Sequence, residues 1–411
     1  MDYGLIGEKL SHSFSPEIHS QIADYNYELK ELKESELKAF FKAKNFKGVN
    51  VTIPYKKRAK ELVDTLDEIA TETGSVNTVI NENGKLKGYN TDFYGFASLI
   101  EKSGIKVLGE TVLVCGSGGT SKTAVCVLRK LGAGKIKVVS RTKKSGTITY
   151  DEAKNKYSNA TVIINTTPIG MYPNVGKAPI DLDCFNNLKG VIDVIYNPLN
   201  TQLLLNAKQK GIACANGLYM LVSQAAKSAE LFSGKKICQK KIDICYKKSL
   251  QKKRNIVLIG MPGCGKTTLG KILAKELKLK FADTDKLVEE KAKQKPNEII
   301  NEKGEAAFRE IEAKVIKDIS LNTGLVIATG GGAVLNKNNI KALKQNGVVV
   351  FLDRPFDSLA ITKKRPLSSN KELLKKVFSE RYLLYCDSAD VIVKCVQDIN
   401  KNIKNIKQKL G

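Results

Sequence analysis

Tryptophan is absent from the 411 residues, and histidine occurs only twice, as His12 and His19. Two histidines so near the N-terminus exclude an HExxH metalloenzyme, and any catalytic triad that needs a histidine in the C-terminal half. The nine cysteines are odd in number, widely spread and free of any CxxC pair. That argues against a disulfide framework and a zinc knuckle, and for a reducing cytosol. No apolar run approaches the roughly 20 residues of a membrane helix. The opening MDYGLIGEKL has neither the basic nor the apolar segment of a secretory signal, so a cytoplasmic protein with no membrane association is expected. Acids are the scarcer charge, 42 Asp and Glu against 68 Lys and Arg, for a formal net charge of +26.

Hydrophobic residues make up 42% and charged residues 27% of the chain, a globular balance that excludes wholesale disorder. At roughly 150 residues per domain the length implies two or three domains. The positive charge raises nucleic acid as a partner, since Lys and Arg neutralising phosphates supply sequence-independent affinity. Such binding usually interleaves aromatic residues for stacking, whereas aromatics are 7% of this chain and most lysines stand beside glutamates in helical stretches. Small anionic ligands, steered by a positive field, are therefore expected rather than nucleic acid. Oligomeric state is left open.

Three stretches alternate strands and helices in the manner of α/β layers. Residues 1–104 carry short strands (GVNVTIP, TVINENGKLKGYN) and polar helices (ESELKAFFKAK, YKKRAKELVDTL). Residues 105–216 run strand, Gly-rich turn, helix, strand, and residues 255–411 restart with the buried strand NIVLIG. Between them, residues 236–254 are crowded with Lys and read as a solvated helix or linker. No repeat of solenoid period is present.

In TVLVCGSGGTSKTAVCVLRKLGAGKIKVVSRTKK, Gly116, Gly118 and Gly119 permit a tight turn whose following helix N-terminus suits a pyrophosphate. The spacing is GxGG rather than GxGxxG, and its force comes from the strand, helix and second strand that follow in order. An NAD site needs Asp or Glu at the end of that second strand to bind the ribose 2′-OH. This chain has Ser140, Arg141, Thr142 and Lys143 there; a guanidinium and neighbouring donors suit a 2′-phosphate, so NADP is expected.

The first stretch also carries HSFSPEIHS, GVNVTIPYKK, GSVNT and GYNTD, and the segments INTTPIGMYP, DVIYNP and GLYMLVSQAA follow the dinucleotide turn. Singly these are caps and turns. Together and in order, over about residues 1–235, they resemble the shikimate dehydrogenase family. The resemblance implies a substrate domain completed by a helix at about 217–235, plus a Rossmann domain that binds NADP(H). It implies that Ser13 and Ser15 hold the substrate carboxylate and that Thr52, Lys56, Asn77, Asp92 and Gln224 hold the ring hydroxyls. Lys56 and Asp92 would be the catalytic pair, Tyr196 would lie near nicotinamide and substrate, and Asn165, Thr166 and Gly217 would border the cofactor. A proton for the developing alkoxide is what an ammonium beside a carboxylate can donate.

NIVLIGMPGCGKTTLGKIL places GxxxxGK[ST] between a strand and a helix. Backbone amides around Gly263, Cys264 and Gly265 would cradle phosphates, with Lys266 on the β- and γ-oxygens, Thr267 on Mg²⁺ and Thr268 beside it. Downstream stand Asp283 and Asp285 in FADTD, Arg309 in GEAAFREIE, Gly330, Gly331 and Gly332 in ATGGGAVL, and Arg381 in SERYLLY. In this order after a phosphate loop, they resemble shikimate kinase over about residues 255–405. The resemblance implies ATP and Mg²⁺, Asp283 for the metal, and Asp285 for the attacking hydroxyl. Arg309 and Arg381 would take the shikimate carboxylate, the three glycines would form the substrate wall, and Arg365 would act from a mobile lid.

The joint expectation is an α/β enzyme that reduces 3-dehydroshikimate to shikimate and then phosphorylates shikimate. One half makes what the other consumes. Alternatives are a quinate-preferring dehydrogenase, another small-molecule P-loop kinase, and a nucleotide-binding regulator with inactive sites. The last should lack Lys56, Asp92, Lys266 or Asp285, and all four are present.

Overall fold

The computed structural model describes residues 1–10, 13–360 and 371–410. Arg365, expected in a lid, lies outside the described residues. The chain divides into two compact units, Met1–Tyr196 with Thr201–Leu250, and Asn197–Asn200 with Gln251–Gly411. Among the described residues no helix is long and apolar enough to cross a membrane.

The first unit holds two six-stranded sheets. One comprises β1 (Tyr3–Gly7), β2 (Tyr27–Glu31), β3 (Gly48–Val51), β4 (Thr65–Leu66), β5 (Thr78–Glu82) and β6 (Lys85–Tyr89), in the order β2-β1-β3-β5-β6-β4. Its core gathers Ile6, Val49, Val51, Tyr55 and Val79. TVINENGKLKGYN, read as one strand, is a hairpin: β5 pairs antiparallel with β6, and Asn83 (φ +53°) and Gly84 (φ +87°) make the turn. Asn-Gly tolerates the two positive φ values that a tight hairpin of right-handed twist demands. YKKRAKELVDTL is likewise helical only over Lys56–Glu61, after which Thr65 and Leu66 join the sheet beside β6.

The second sheet comprises β7 (Thr111–Cys115), β8 (Lys135–Val139), β9 (Thr147–Ile148), β10 (Val162–Asn165), β11 (Gly190–Asp193) and β12 (Ala213–Asn216), ordered β12-β11-β10-β7-β8-β9 with every pair parallel. The central strands are apolar on both faces, because helices cover both sides of a parallel sheet. The order reverses between β7 and β10, and a doubly wound sheet binds its ligand at the carboxyl ends of the strands at that point.

The helix Leu218–Ser233 leaves β12 and packs on the helix Thr91–Ser103, where Gly95 is obligatory: a Cβ there would sit 2.6 Å from the Met220 carbonyl oxygen. Of the two readings of the Lys-rich stretch, a solvated helix or a linker, the structure has the helix. Gln239–Lys253 is a helix, and Cys245 is buried in a cluster with Ile18, Ile22, Val222 and Ala226.

The second unit is built on β13 (Asn255–Ile259), β14 (Lys280–Asp283), β15 (Leu325–Ala328), β16 (Gly347–Asp353) and β17 (Val391–Lys394), all parallel, in the order β14-β15-β13-β16-β17. β13 is central, and the phosphate loop leaves its carboxyl end for the helix Lys266–Leu277. The element Pro296–Ser320 is broken at Gly304 (φ +84°), one residue before Glu305.

Candidate functional site

In the first unit, Ser13, Ser15, Thr52, Lys56, Asn77, Asp92, Tyr196, Gly217 and Gln224 all line one cleft of about 680 Å³. They come from six different segments, which the two sheets and the Leu218–Ser233 helix bring to a common edge. Lys56, the first residue of its helix, points its Nζ 2.5 Å from Asp92 Oδ2, with the two side chains 26% and 14% exposed. The ion pair is thus open to the cleft and shielded elsewhere. Asn77 is buried and tied to Thr91, accepting from its backbone N–H (2.7 Å) and donating to its Oγ1 (3.0 Å). Gln224 donates to the Leu221 carbonyl (2.9 Å) and accepts from Thr91 Oγ1 (3.4 Å). Burial raises the Tyr196 phenol above its ordinary range.

Behind this wall runs a polar network absent from the sequence-derived set. Tyr27 donates to Asn50 Oδ1 (2.8 Å), and Asn50 donates to Thr78 (2.9 Å) and Ser228 (2.8 Å). Asn50 and Thr91 sit inside the quoted motifs, yet Ser228 comes from a helix far away in sequence, and no local signal announces the pairing.

At the switch point, Gly116 takes φ +107° against Thr166, whose hydroxyl donates to the Cys115 carbonyl (2.7 Å). A Cβ at Gly118 would meet nothing within 4 Å, and Gly119 starts the following helix. The Gly116 N–H donates to the Val139 carbonyl (2.8 Å), and the open turn beyond it leads into a helix N-terminus of the kind a pyrophosphate fits. Thr120, in the same turn, also lines the substrate cleft. Ser140 is buried, 3.5 Å from Ser117 Oγ, while Arg141 and Thr142 are exposed. Lys143 is ion-paired with Glu152 at 2.7 Å.

Asn165, expected to border the cofactor, spends its amide on protein partners. It is fully buried, donates to Asp193 Oδ1 (3.0 Å) and accepts from Thr167 N–H (2.9 Å) and Oγ1 (2.7 Å). Asp193 also accepts from the Ile195 N–H (3.0 Å) and the Thr201 hydroxyl (2.6 Å). Asn165 is therefore a tie between two loops of the cleft. Burial pushes the Asp193 carboxyl up to about 6, against the three donors that pull it down.

In the second unit a pocket of about 400 Å³ gathers Gly263, Gly265, Lys266, Thr267 and Thr268 with Asp283, Asp285, Arg309, Gly330–Gly332 and Arg381. Gly263 (φ +83°) and Gly265 (φ +99°) hold the loop in a form that other residues resist. Cys264 is buried beneath it. Lys266 Nζ donates to the carbonyls of Gly260 (2.7 Å) and Met261 (3.0 Å), folded onto its own loop. Thr267 Oγ1 donates to Asp283 Oδ2 (2.8 Å), and Asp283 Oδ1 accepts from the Asp285 N–H (3.1 Å). Among the described residues no cluster of three or more His, Cys, Asp or Glu could hold a metal. The hydroxyl–carboxylate pair of Thr267 and Asp283, next to a phosphate cradle, suits an ion that takes most of its ligands from phosphates and water.

Arg309 lies against Gly332, where a Cβ would overlap its guanidinium. It donates to Glu312 Oε2 (2.8 Å) and, through Nη2 (2.8 Å) and Nε (3.2 Å), to Glu305 Oε1. Arg381 is buried and donates to the Gly331 carbonyl (3.2 Å), while its Nε has no hydrogen-bond partner among the described residues. Glu312 was not singled out in the sequence, though it stands one turn beyond Arg309, where helical pairs meet. It is 1% exposed, its Oε1 has no hydrogen-bond partner among the described residues, and burial raises its carboxyl against the pull of Arg309.

Comparison with protein families matches residues 262–410 to the family described as shikimate kinase, and residues 5–79 to the shikimate dehydrogenase substrate binding domain. A shikimate dehydrogenase (NADP(+)) of Clostridium perfringens is 36% identical over 253 residues, covering 57% of this chain and 93% of that protein. Among solved structures, shikimate dehydrogenase 1 from Peptoclostridium difficile aligns with a TM-score of 0.56 and 36% identity, over 61% of this chain and 98% of the other. A chorismate mutase/shikimate 5-dehydrogenase fusion protein from Clostridium acetobutylicum aligns with a TM-score of 0.57 and 36% identity, over 60% and 95%. The chain belongs to the shikimate dehydrogenase family, and it carries a shikimate kinase domain on the same polypeptide.

Proposed function

We propose that the cleft of the first unit reduces 3-dehydroshikimate to shikimate with NADPH, and that the pocket of the second unit phosphorylates shikimate to shikimate 3-phosphate with ATP and Mg²⁺. The first half rests on the Lys56–Asp92 contact inside a cleft that the dinucleotide turn also walls through Thr120. When bound, NADPH supplies the hydride. Lys56 holds a proton at Nζ and gives it to the ketone oxygen as that oxygen gains charge, and Asp92 keeps the ammonium aimed. Ser13 and Ser15 orient the carboxylate, and Thr52, Asn77 and Gln224 orient the ring. Tyr196 and Gly217 close the cleft on the nicotinamide side. Arg141 and Thr142 stand where a carboxylate would select NAD, and favour the 2′-phosphate. Lys143, already held by Glu152, contributes less.

In the second pocket Lys266 and the loop amides hold the phosphate chain, Thr267 and Asp283 hold the cation, and Asp285 orients the attacking hydroxyl. Arg309 and Arg381 receive the substrate carboxylate. Glu305, 54% exposed, yields its place on Arg309 easily, whereas buried Glu312 stays and fixes the guanidinium plane. Gly330–Gly332 let the ring approach the backbone, and Arg365 meets the charge on the transferring group. Both ligand sets are small anions, and the nine free thiols suit a reducing cytoplasm.

The test is a double dissociation on the full chain. Lys56→Ala should lower the reduction rate by about 10²–10⁴ and leave phosphorylation of shikimate intact. Lys266→Ala should abolish phosphorylation and spare reduction. A normal kinase rate in Lys266→Ala would sink the phosphate-loop assignment, and equal loss of both activities in either variant would refute two separate sites.

A further inference from the structure

Arg354, the first residue after β16, belongs to none of the motifs above. Its Nε donates to the Cys264 carbonyl of the phosphate loop at 3.1 Å. Its Nη2 lies 3.9 Å from where a Cβ on Gly265 would stand. Gly265 is the N-cap of the helix Lys266–Leu277, which has no side-chain cap and no acidic residue in its first turn. The positive end of that helix thus faces two cations, Lys266 and Arg354. Among the described residues Arg354 forms no ion pair with a carboxylate.

A helix N-terminus favours negative charge, and cations belong at the other end. Lys266 meets its own loop carbonyls, but among the described residues no carboxylate pairs with the guanidinium of Arg354. The arrangement is electrostatically complete only when a polyanion lies on the loop. Arg354 is absent from the walls of that pocket altogether, and it meets the phosphate loop from behind, through the Cys264 carbonyl and beside Gly265. Its charge is thus tied to the loop that would hold the phosphates, by contact with Cys264 and Gly265.

We infer that Arg354 is a further nucleotide-binding residue, an inference that rests on reading this pocket as an ATP site. Nε fixes the loop through the Cys264 carbonyl, and the outer nitrogens reach an oxygen of the phosphate chain. A guanidinium can do both at once because its donors form a rigid fork, which a lysine ammonium lacks.

Calorimetric titration of the full chain with MgADP, magnesium pyrophosphate and shikimate tests this without turnover. Arg354→Gln should weaken MgADP and magnesium pyrophosphate alike by about tenfold, the scale of one charge-assisted hydrogen bond. Arg354→Lys should recover part of that loss, since it restores the charge without the fork. Shikimate affinity and the dehydrogenase rate should stay within twofold, the second reporting that the chain is folded. The inference is overturned if MgADP affinity stays within twofold in Arg354→Gln, if Arg354→Lys is as weak as Arg354→Gln, or if shikimate affinity falls in equal measure. Lys266→Ala serves as reference: should it also leave MgADP affinity unchanged, the ATP-site reading itself fails, and not merely the role of Arg354.

Discussion

His19 packs flat on Tyr27, ring centroids 3.9 Å apart, with its Nδ1 2.7 Å from the Tyr25 hydroxyl. Burial lowers its pKa to about 3 from an ordinary 6.5. A depressed histidine contributes stability fully above about 6.5 and loses it as the pH falls below that value. Asp193 runs the other way, since its folded pKa of about 6 exceeds the ordinary 3.8; its contribution is present at low pH and is lost as the pH rises towards 6 and above. Between pH 7 and 5.5 each is worth about 1 kcal/mol, with opposite signs. Against the wild type, His19→Gln should therefore gain stability on acidification and Asp193→Asn should lose it, read by thermal unfolding at the two pH values. Parallel pH profiles for all three chains would contradict both assignments. At this scale the sequence revealed residues whose chemistry is local, such as Lys56 in its strand-to-helix turn and Asp285 after β14. For Asn165, only the fold reveals that Asp193 and Thr167 engage its amide.

The Lys-rich segment Gln239–Lys253 illustrates the element scale. Six of its 15 residues are lysine, so its apolar stripe is one residue wide and reads as noise. The stripe nonetheless has helical period, with Ile242, Cys245, Tyr246 and Ser249 facing the first unit. Asp243 accepts from Tyr219 (2.8 Å) and Lys102 (3.1 Å), fixing the helix from its polar side. Cys245→Asp would bury a carboxylate at a site 1% exposed, with an expected cost on the order of 2–4 kcal/mol. Thermal unfolding should show the dehydrogenase unit destabilised while kinase activity persists; an unchanged transition would restore the linker reading. The hairpin of β5 and β6 carries its signal in Asn83-Gly84, although the segment was read as one strand, whereas the early end of the Lys56–Glu61 helix has no local signal, because Thr65 and Leu66 gain their partner only from β6.

At the scale of the whole molecule, three α/β sheets stand in two units, and the alternation of strands and helices that builds them was readable directly. The +26 charge finds its counterpart in the ligands, every one of which is an anion. The two sites are chemically consecutive, since the alcohol formed in one is the acceptor in the other. The measurement that bears most directly on this account is product analysis by mass, with the purified chain given 3-dehydroshikimate, NADPH, ATP and Mg²⁺. Shikimate 3-phosphate should accumulate, and should require both NADPH and ATP. Shikimate as the end product would contradict the kinase assignment, and absence of both products would contradict the dehydrogenase assignment.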